Sequence, residues 1–412
     1  MRDEFPFLDI LCKVVDNFGD IGVVYRLARA LAEADPSLRL RLVVDGLEAF
    51  KSLAPGIDPA LEVQDFRGWR VYRWDLAPGP AREEFRREPP RRAVECFACG
   101  KPDWYEELVF DPADPAPRRI LNLEYLTAED YAVDFHRLVA ATRSDRVRKF
   151  FFMPGFAPGT GGLLLDRNFL AARARFLDPA SRPSARLAAL RAAGFDAGLD
   201  AAAPAAAPVA APTAAPADSG GRRWVAVFSY ERDYGRIVAD LAAHARERPL
   251  LALVAAGRSE LCFRRAWEEA GRPFPALFLP FLPQETWDEL LLAADFAIVR
   301  GEESLARAAL SGRPFLWHAY VQEEAHQLVK VRALLERLRP CFEPALFAPL
   351  EELFLAFNDR LRDGPAVAGT ERLLPLLEAA EALKPGFEAF SERLLALGNL
   401  ADNLLTFFGE IG

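Results

Sequence analysis

Two aspartates lie four positions apart in the segment Asp16-Asn17-Phe18-Gly19-Asp20, between a predicted first strand and a predicted first helix. A positioned carboxylate can accept a proton from a substrate. In a parallel sheet, ligands bind beyond the carboxyl ends of the strands, and Gly19 permits a tight turn or a close approach. The alternative is that Asp20 only caps the helix, because aspartate is a favoured N-cap residue. The spacing alone does not decide between the two.

A second candidate site is the segment Arg300–Ser304, with the sequence RGEES, between the apolar segment Phe296–Val299 and the predicted helix Leu305–Leu310. The N-terminus of a helix offers free N–H groups and a favourable dipole to a phosphate. Glu302 and Glu303 are better suited to bind sugar or ribose hydroxyls, because a carboxylate accepts the hydrogen bond that a hydroxyl donates. The alternative is an ordinary helix with acidic residues in its first turn.

Other motifs argue against metal and nucleophile chemistry. Gly159–Leu164 (GTGGLL) is glycine-rich, but no Gly-Lys-Ser/Thr follows it, so we interpret it as a flexible interdomain or active-site loop. Cys96 and Cys99 form a lone C-x-x-C without a second pair, which disfavours a zinc site. The four histidines lack metal-ligand spacing, and no serine-nucleophile motif is present. We therefore expect neither a metal nor a resident cofactor.

The elements that must position these residues alternate between strand and helix in both halves of the chain, as in parallel α/β domains. In the N-terminal half the helix Ile21–Ala34 has apolar residues at helical spacing, and strands are predicted at Leu8–Val15, Leu38–Val44, Arg92–Ala98, Arg119–Tyr125 and Lys149–Pro154. In the C-terminal half strands are predicted at Trp224–Tyr230, Leu250–Ala256, Ala276–Leu282, Phe296–Val299 and Pro314–His318. Two such domains in tandem predict a cleft between them.

Two further segments stand apart from this alternation. Ala201–Ala217 has a proline at every fourth position and no large apolar side chain, which predicts an extended, mobile insert without chemistry. The C-terminal segment has the pattern of one or two amphipathic helices. Its pair Phe407–Phe408 predicts that it packs back on a domain.

Composition restricts the class of protein. The 412 residues contain 51 Lys and Arg against 60 Asp and Glu, a net charge of −9, which argues against a general nucleic-acid binder. No apolar run is long enough for a membrane span. The start of the chain lacks the apolar core of a signal peptide, and the five cysteines are too few for a disulfide scaffold. We expect a cytoplasmic protein of two domains.

Several segments are similar to one known family: VVDNFGDIGVVYRLARAL, LNLEYLTAEDY, FFFMPGFAPGTGGLL, FLPQETWDELLLAADFAIVRGEES and GRPFLWHAYVQEEAHQ. With them the chain resembles the bacterial protein-arginine rhamnosyltransferases that modify translation elongation factor P, the EarP family. The similarity extends from near residue 8 to the C-terminus, interrupted by the Ala/Pro-rich insert. The DNFGDIG and RGE-S motifs, in this order, are specific to that family.

The resemblance implies a GT-B glycosyltransferase fold, with two Rossmann-like domains facing across a cleft. It implies residues 1–180 as the acceptor domain, 181–222 as a linker with the insert, 223–390 as the nucleotide-sugar domain and 391–412 as a helix that returns to the N-terminal domain. The implied reaction is an inverting, metal-independent transfer of L-rhamnose from dTDP-β-L-rhamnose. The implied acceptor is one arginine at a loop tip in the N-terminal domain of elongation factor P.

Carried over by position, the resemblance also implies roles for single residues. The essential acidic residues fall on Asp16, Asp20 and Glu302. The residues implied in substrate binding are Asn17, Phe18, Gly19, Phe228, Tyr230, Gln284, Trp287, Arg300, Glu302, Glu303 and Ser304. Two of them depart from the family pattern, because Glu303 stands where the family has aspartate and Trp287 where it has phenylalanine or tyrosine. A contact made by the backbone N–H of Glu303 is expected to survive, and Trp287 can still stack on a pyrimidine.

Two alternatives from other classes stay open at the level of the sequence. One is a GT-B-like transferase for a lipid or small-molecule acceptor, although the N-terminal half lacks the basic amphipathic patch of membrane-docking enzymes. The other is a non-catalytic module that binds a nucleotide or a protein, because a fold alone does not specify a function.

Overall fold

The computed structural model describes residues 7–14, 18–195, 221–359 and 372–412. The chain forms two compact units. The first unit consists of Met1–Arg167 with Leu394–Gly412, and the second unit of Asn168–Arg393. Within the described ranges, no helix is long and apolar enough to cross a membrane.

The first unit is built on an eight-stranded sheet with the order β3-β4-β2-β1-β5-β6-β8-β7. Only the pairs β3–β4 and β7–β8 are antiparallel. The strands are β1 (Phe7–Cys12), β2 (Arg39–Val44), β3 (Val63–Phe66), β4 (Trp69–Arg73), β5 (Arg92–Cys96), β6 (Arg118–Leu123), β7 (Val139–Ala140) and β8 (Val147–Phe152). The helices between them are α1 (Gly19–Ala34), α2 (Leu47–Leu53), α3 (Pro80–Arg87), α4 (Asp103–Val109) and α5 (Tyr131–Phe135).

The position of β1 in this sheet determines where a ligand can enter. From β1 the chain moves outward to β2 on one side and returns to β5 on the other side. The loops after β1 and β5 therefore diverge, which makes this pair the topological switch point, the place where parallel sheets bind ligands. Helix α1 packs on the sheet through Val24, Leu27 and Leu31, which are fully buried at helical spacing.

The second unit contains a five-stranded parallel sheet with the order β11-β10-β9-β12-β13. Here the switch point lies between β9 and β12. The strands are β9 (Arg223–Val227), β10 (Leu250–Val254), β11 (Ala276–Phe278), β12 (Phe296–Arg300) and β13 (Phe315–His318). The helices are α6 (Arg167–Leu177), α7 (Arg182–Ala192), α8 (Gly235–Glu247), α9 (Arg258–Glu269), α10 (Gln284–Ala293), α11 (Gly301–Ser311), α12 (Gln327–Leu338), α13 (Pro344–Asn358), α14 (Leu374–Glu378) and α15 (Ala380–Leu395).

The last helix, α16 (Leu400–Ile411), belongs to the first unit and packs against α1. Its N-cap Asn399 accepts a hydrogen bond from the backbone N–H of Ala401. The Phe407 ring meets Phe150 of β8 edge-to-face, with 5.3 Å between ring centroids. The apolar pattern at the end of the chain is therefore satisfied by burial on the sheet of the first unit.

The glycine-rich segment Gly159–Leu164 is packed, so the expectation of a flexible loop is wrong. A Cβ on Gly161 would lie 2.7 Å from the Phe152 ring, and one on Gly162 would lie 2.8 Å from the Gly398 carbonyl oxygen. Leu163 is buried and pairs with Asn399 in an isolated parallel bridge. The glycines are needed because two stretches of backbone approach closely here.

The predicted α/β class with parallel sheets is confirmed, and all ten predicted strands lie on observed ones. The sequence analysis missed the β3–β4 hairpin and the two-residue strand β7. Several of the predicted strands extend too far at their carboxyl ends.

Candidate functional site

Asp20 lies in the first turn of α1, at the β1/β5 switch point of the first unit. Helix α1 begins at Gly19, and its N-cap residue is Phe18, which makes no side-chain cap hydrogen bond. The Asp20 side chain is therefore not the N-cap. Only 1% of Asp20 is exposed, and its Oδ1 accepts a hydrogen bond of 2.9 Å from the Tyr125 hydroxyl.

The structure describes only some of the other residues in the segment Asp16–Asp20. Asp16 and Asn17 lie outside the described residues. Phe18 is 40% exposed at the start of α1, and Gly19 is the first residue of the helix. The exposed aromatic ring and the buried carboxylate are thus two residues apart at one end of the helix.

Two residues at the end of β6 were not singled out by the sequence analysis. Glu124 accepts a hydrogen bond from the Asn122 amide, and burial raises the pKa of its carboxyl group. Tyr125 is 44% exposed and stacks on Phe97, with 4.3 Å between ring centroids and 13° between ring planes. Both Glu124 and Tyr125 directly follow a strand that neighbours β5, so they lie at the same edge of the sheet as Asp20.

The cysteines near this edge do not have the properties of nucleophiles or metal ligands. Burial raises the pKa of Cys12 and Cys96 well above the usual value, and it raises the pKa of Cys99 to about 11. These groups therefore remain thiols at neutral pH. Across the described part of the chain, no group of three His, Cys, Asp or Glu side chains could hold a metal ion.

In the second unit, the switch point brings together residues from the ends of β9 and β12. Arg300 is the last residue of β12 and the N-cap of α11. Its guanidinium lies 4.7 Å from the centroid of the Phe228 ring and 4.8 Å from that of the Tyr230 ring. Two aromatic rings and a cation at one helix start can bind a base and a diphosphate.

Helix α10 contributes two further residues. Gln284 is its first residue and is buried, and Trp287 follows one turn later. The Trp287 ring meets Phe228 edge-to-face at 5.4 Å, which connects α10 to the group around Arg300. The indole Nε1 of Trp287 is buried without a hydrogen-bond partner among the described residues.

The start of α11 presents backbone N–H groups that have no partner within the helix. Arg300 makes no side-chain cap hydrogen bond, and Glu302, Glu303 and Ser304 follow within the first turn. The Glu302 carboxylate lies 3.7 Å from the Lys330 Nζ, and that of Glu303 lies 3.3 Å from the buried Arg307 Nε. The Glu303 side chain thus meets Arg307, while its backbone N–H belongs to the helix start.

The buried side chain of His318 contacts the loop after β9, which carries Tyr230. The Ser229 Oγ and the His318 Nδ1 are 2.7 Å apart, and the Tyr230 ring meets the His318 ring edge-to-face at 5.3 Å. His318 ends β13, and Ser229 lies in the loop after β9. The contacts of His318 fix the loop that carries Tyr230.

The described candidates therefore form one group in each unit, each at the carboxyl edge of its sheet. In the second unit, Phe228 contacts both Trp287 and Arg300, and Arg300 also contacts Tyr230. In the first unit, Asp20 is connected to Tyr125 and through it to Phe97. The sequence contained only a weak signal for Phe97 and Tyr125: both are aromatic residues at the carboxyl ends of predicted strands, where parallel sheets bind ligands.

The sequence matches known proteins over almost its entire length. The family model of the "Elongation-Factor P (EF-P) rhamnosyltransferase EarP" matches residues 8–409. A protein-arginine rhamnosyltransferase of Pseudomonas putida is 34% identical over 410 residues, which are 97% of this chain and 98% of that protein. A protein-arginine rhamnosyltransferase of Pseudomonas aeruginosa is 33% identical over 390 residues, covering 89% of this chain and 91% of that protein.

Solved structures show the same fold. The structure from the study of EarP-mediated arginine glycosylation of translation elongation factor EF-P matches with a TM-score of 0.56 and 23% identity, covering 98% of this chain and 99% of that one. A glycosyltransferase of Rickettsia africae matches with a TM-score of 0.50 and 10% identity, covering 99% of both chains. The expected GT-B class of fold is confirmed by these matches.

Proposed function

We propose that this chain, which belongs to the EarP family of elongation factor P rhamnosyltransferases, transfers L-rhamnose from dTDP-β-L-rhamnose to an arginine side chain of elongation factor P. In this proposal the transfer inverts the configuration of the anomeric carbon. One observation supports this most directly: the described residues that correspond to the family's essential positions all lie at the carboxyl edges of the two sheets. That is where parallel sheets bind ligands.

The acceptor presents a chemical problem that a buried carboxylate can solve. A guanidinium has a pKa above 12 and no free lone pair for attack, so it must be oriented and must lose a proton as the new bond forms. Asp20 offers an acceptor oxygen in a water-poor position, with 1% of the residue exposed. We assign Asp20 as the proton acceptor and Asp16 as the carboxylate that orients the guanidinium plane.

The donor is assigned to the second unit. The rings of Phe228, Tyr230 and Trp287 provide surfaces for the thymine base, and Gln284 provides an amide for polar contact. The guanidinium of Arg300 and the N-terminus of α11 with Ser304 provide positive potential for the diphosphate. Glu302 and the Glu303 backbone lie in the same turn, where they can contact the sugar and the phosphates.

The reaction is then a single displacement. A guanidinium nitrogen attacks the anomeric carbon of rhamnose, and the bond from that carbon to the diphosphate oxygen breaks. Asp20 accepts the proton that the guanidinium loses. The electron pair of the broken bond leaves with dTDP, whose charge Arg300 and the start of α11 stabilise. No step in this scheme requires a metal ion.

The test is the intact mass of elongation factor P after incubation with this protein and dTDP-β-L-rhamnose. The expected result is a gain of one deoxyhexosyl group, located on a single arginine by fragmentation, with transfer preserved in the presence of a chelator. An acceptor in which that arginine is replaced by lysine serves as the control. An unmodified acceptor would contradict the proposed function. Because mass does not report the anomeric configuration, NMR of the modified arginine is needed for it, and a β-linked product would contradict inversion.

A further inference from the structure

Tyr125 connects the surface of the first unit to the buried Asp20 carboxylate. We infer that Tyr125 is a positioning residue for rhamnosyl transfer: its hydroxyl holds the Asp20 carboxylate in the orientation that accepts the proton, and Phe97 holds Tyr125. This inference rests on the proposed function, because it assigns a role in the same site. Tyr125 lies in the segment LNLEYLTAEDY, which is similar to the family, but neither the motifs nor the resemblance assigned a role to Tyr125 or Phe97.

A hydrogen bond from Tyr125 satisfies the buried carboxylate of Asp20. A carboxylate removed from water is costly unless hydrogen bonds satisfy it. The Tyr125 hydroxyl donates to Asp20 Oδ1 at 2.9 Å across 105 residues of sequence. A hydrogen bond to an ionised acceptor is stronger than a neutral one and fixes its direction. The other carboxylate oxygen of Asp20 is thereby turned in a defined direction.

The ring of Phe97 restrains Tyr125 by stacking on it. Tyr125 is 44% exposed, and a side chain with that much exposure would normally move among several rotamers. Its ring lies parallel to Phe97 at a centroid distance of 4.3 Å. Stacked aromatic pairs are stabilised beyond the area they bury. Phe97 therefore keeps the hydroxyl aimed at Asp20 although the ring is accessible to solvent.

The backbone at Phe97 is held in an uncommon conformation. Phe97 and Ala98 both adopt positive φ angles, of 59° and 50°, a conformation that residues other than glycine rarely take. Such backbone persists where the surroundings enforce it, and it concentrates at functional sites. Here the Phe97 N–H donates to the Leu123 carbonyl at 2.7 Å, and the Ala98 N–H donates to the Asn122 side chain at 3.2 Å.

A buried ion cluster anchors the far side of the same loop. Glu95 is 2% exposed, contacts the Lys101 Nζ at 2.8 Å and the Lys149 Nζ at 3.0 Å, and accepts the Gly100 N–H at 3.1 Å. Burial raises the pKa of Glu95, but the two lysines together hold that pKa below its usual range. The loop from Phe97 to Lys101 is thus fixed at both ends, as a rigid support for Tyr125 requires.

The experiment compares steady-state rhamnosyl transfer by the wild type, Tyr125→Phe, Phe97→Leu and the double variant. Tyr125→Phe keeps the ring and removes only the hydroxyl. We expect its kcat to fall about 10-fold or more while the KM values for donor and acceptor stay within about twofold. The double variant is expected to be no slower than Tyr125→Phe, because Phe97 acts through the hydroxyl that is already absent. Tyr131→Phe, which removes a hydroxyl from an equally exposed tyrosine of the same unit, is the matched control.

The outcomes are distinguishable. A wild type that transfers no rhamnose contradicts the proposed function and this inference together, whereas an active wild type with a normal Tyr125→Phe contradicts the inference alone. A raised acceptor KM with unchanged kcat would make Tyr125 a binding contact. The melting temperature of each variant is measured as well, and a loss of activity that follows loss of folded protein would make the role of Tyr125 structural.

Discussion

Asp20 combines deep burial with a connection to the surface. Its carboxylate lies in the first turn of α1 and is bound by the hydroxyl of a half-exposed tyrosine. An exposed carboxylate in the first turn of a helix gains about 0.3–1 kcal/mol from the helix dipole, and a partly buried one gains up to about 2 kcal/mol. Burial next to an accessible side chain fits the proposed role of Asp20 as a desolvated proton acceptor.

Asp20→Asn tests this role directly. The amide keeps the shape of the side chain and can still accept the Tyr125 hydrogen bond, but it does not take a proton. We expect kcat for rhamnosyl transfer to fall about 100-fold or more, with dTDP affinity and melting temperature near those of the wild type. Asp103→Asn, which removes an exposed first-turn aspartate from α4, is the control. Turnover of Asp20→Asn close to that of the wild type would leave Asp20 a purely structural part of α1.

Trp287 is the second residue whose role can be measured separately. Its contact with Phe228 joins it to the aromatic group around Arg300. If it stacks on the thymine, Trp287→Ala is expected to weaken dTDP binding by about 1–3 kcal/mol in titration calorimetry. Trp287→Phe retains an aromatic face and is expected to recover most of the affinity. Equal dTDP affinity of the alanine variant and the wild type would assign the indole to the core instead.

At the scale of elements, the strands were predicted better than the loops that carry chemistry. The predicted strands Arg92–Ala98, Arg119–Tyr125 and Trp224–Tyr230 end at Cys96, Leu123 and Val227 in the structure. The overextended residues are mostly large and apolar or aromatic, so they continue the strand pattern. They leave the sheet because Phe97, Tyr125, Phe228 and Tyr230 pack on one another or on Arg300 at its edge.

The sequence predicted where the site residues lie along the chain, but it did not predict which of them contact one another. Short motifs placed Asp20 and the RGEES turn at the correct strand ends, because those positions follow from the order of strand, loop and helix. The partnership of Tyr125 with Asp20 joins residues 105 positions apart, and it depends on β6 being the second neighbour of β1. Strand order is a property of tertiary packing, which local patterns do not encode.

His136 links the segment after α5 to the end of β8 and is expected to make the first unit sensitive to acid. The Met153 N–H donates to its Nδ1 at 3.1 Å, and burial lowers the pKa of His136 to about 4. An unfolded chain binds this proton near pH 6.5, so between pH 6.5 and 4 the unfolded state holds more protons and stability falls as the pH decreases. At pH 5 the expected loss from this group is about 2 kcal/mol.

His136→Asn isolates this contribution, because the asparagine oxygen can accept the Met153 N–H without titrating. Chemical denaturation at pH 7 and pH 5 is expected to show a smaller decrease in unfolding free energy for the variant than for the wild type. The difference between the two decreases should be about 2 kcal/mol. Equal decreases would show that His136 titrates normally in the folded protein.

The close approach of Gly162 to Gly398 is one of the contacts that attach the C-terminal segment to the first unit. Gly162 has a φ of +75°, and an added Cβ would meet the Gly398 carbonyl oxygen at 2.8 Å. Gly162→Ala is therefore expected to lower the unfolding free energy by about 1–3 kcal/mol. Gly409→Ala adds a methyl to an exposed position of α16 with open space around it, and it should be neutral or slightly stabilising. An unchanged denaturation midpoint for Gly162→Ala would mean that the two segments separate easily.

At the scale of the whole molecule, each unit repeats one arrangement: a parallel sheet, a switch point and functional candidates in the loops beyond it. The Ala/Pro-rich insert, Ala201–Ala217, lies outside the described residues, but the elements on both sides of it are described. Helix α7 precedes the insert and β9 follows it, and both belong to the second unit. The insert therefore interrupts one unit and does not connect the two.

The Asp295 carboxylate contacts both flanks of the insert. Asp295 is 2.6 Å from both Arg182 Nη2 and Arg186 Nη2 of α7, and it accepts the Trp224 N–H of β9 at 2.8 Å. Burial raises the pKa of Asp295, but Arg186 and Arg182 outweigh this effect and hold the pKa below its usual value. Since α7 and β9 are joined by this cluster, the fold does not depend on the insert to bring them together.

Replacement of Ala201–Ala217 by a few Gly and Ser residues is therefore expected to leave both the melting temperature and rhamnosyl transfer nearly unchanged. Each doubling of a flexible loop costs only about 0.6 kcal/mol in closure entropy, and the insert has no charged or aromatic side chain with which to form a site. Asp295→Asn, with the insert intact, is the informative comparison, because it weakens the cluster that holds the flanks and should lower the melting temperature. If the shortened variant instead kept its stability while kcat fell tenfold, the insert would control a conformational step of catalysis.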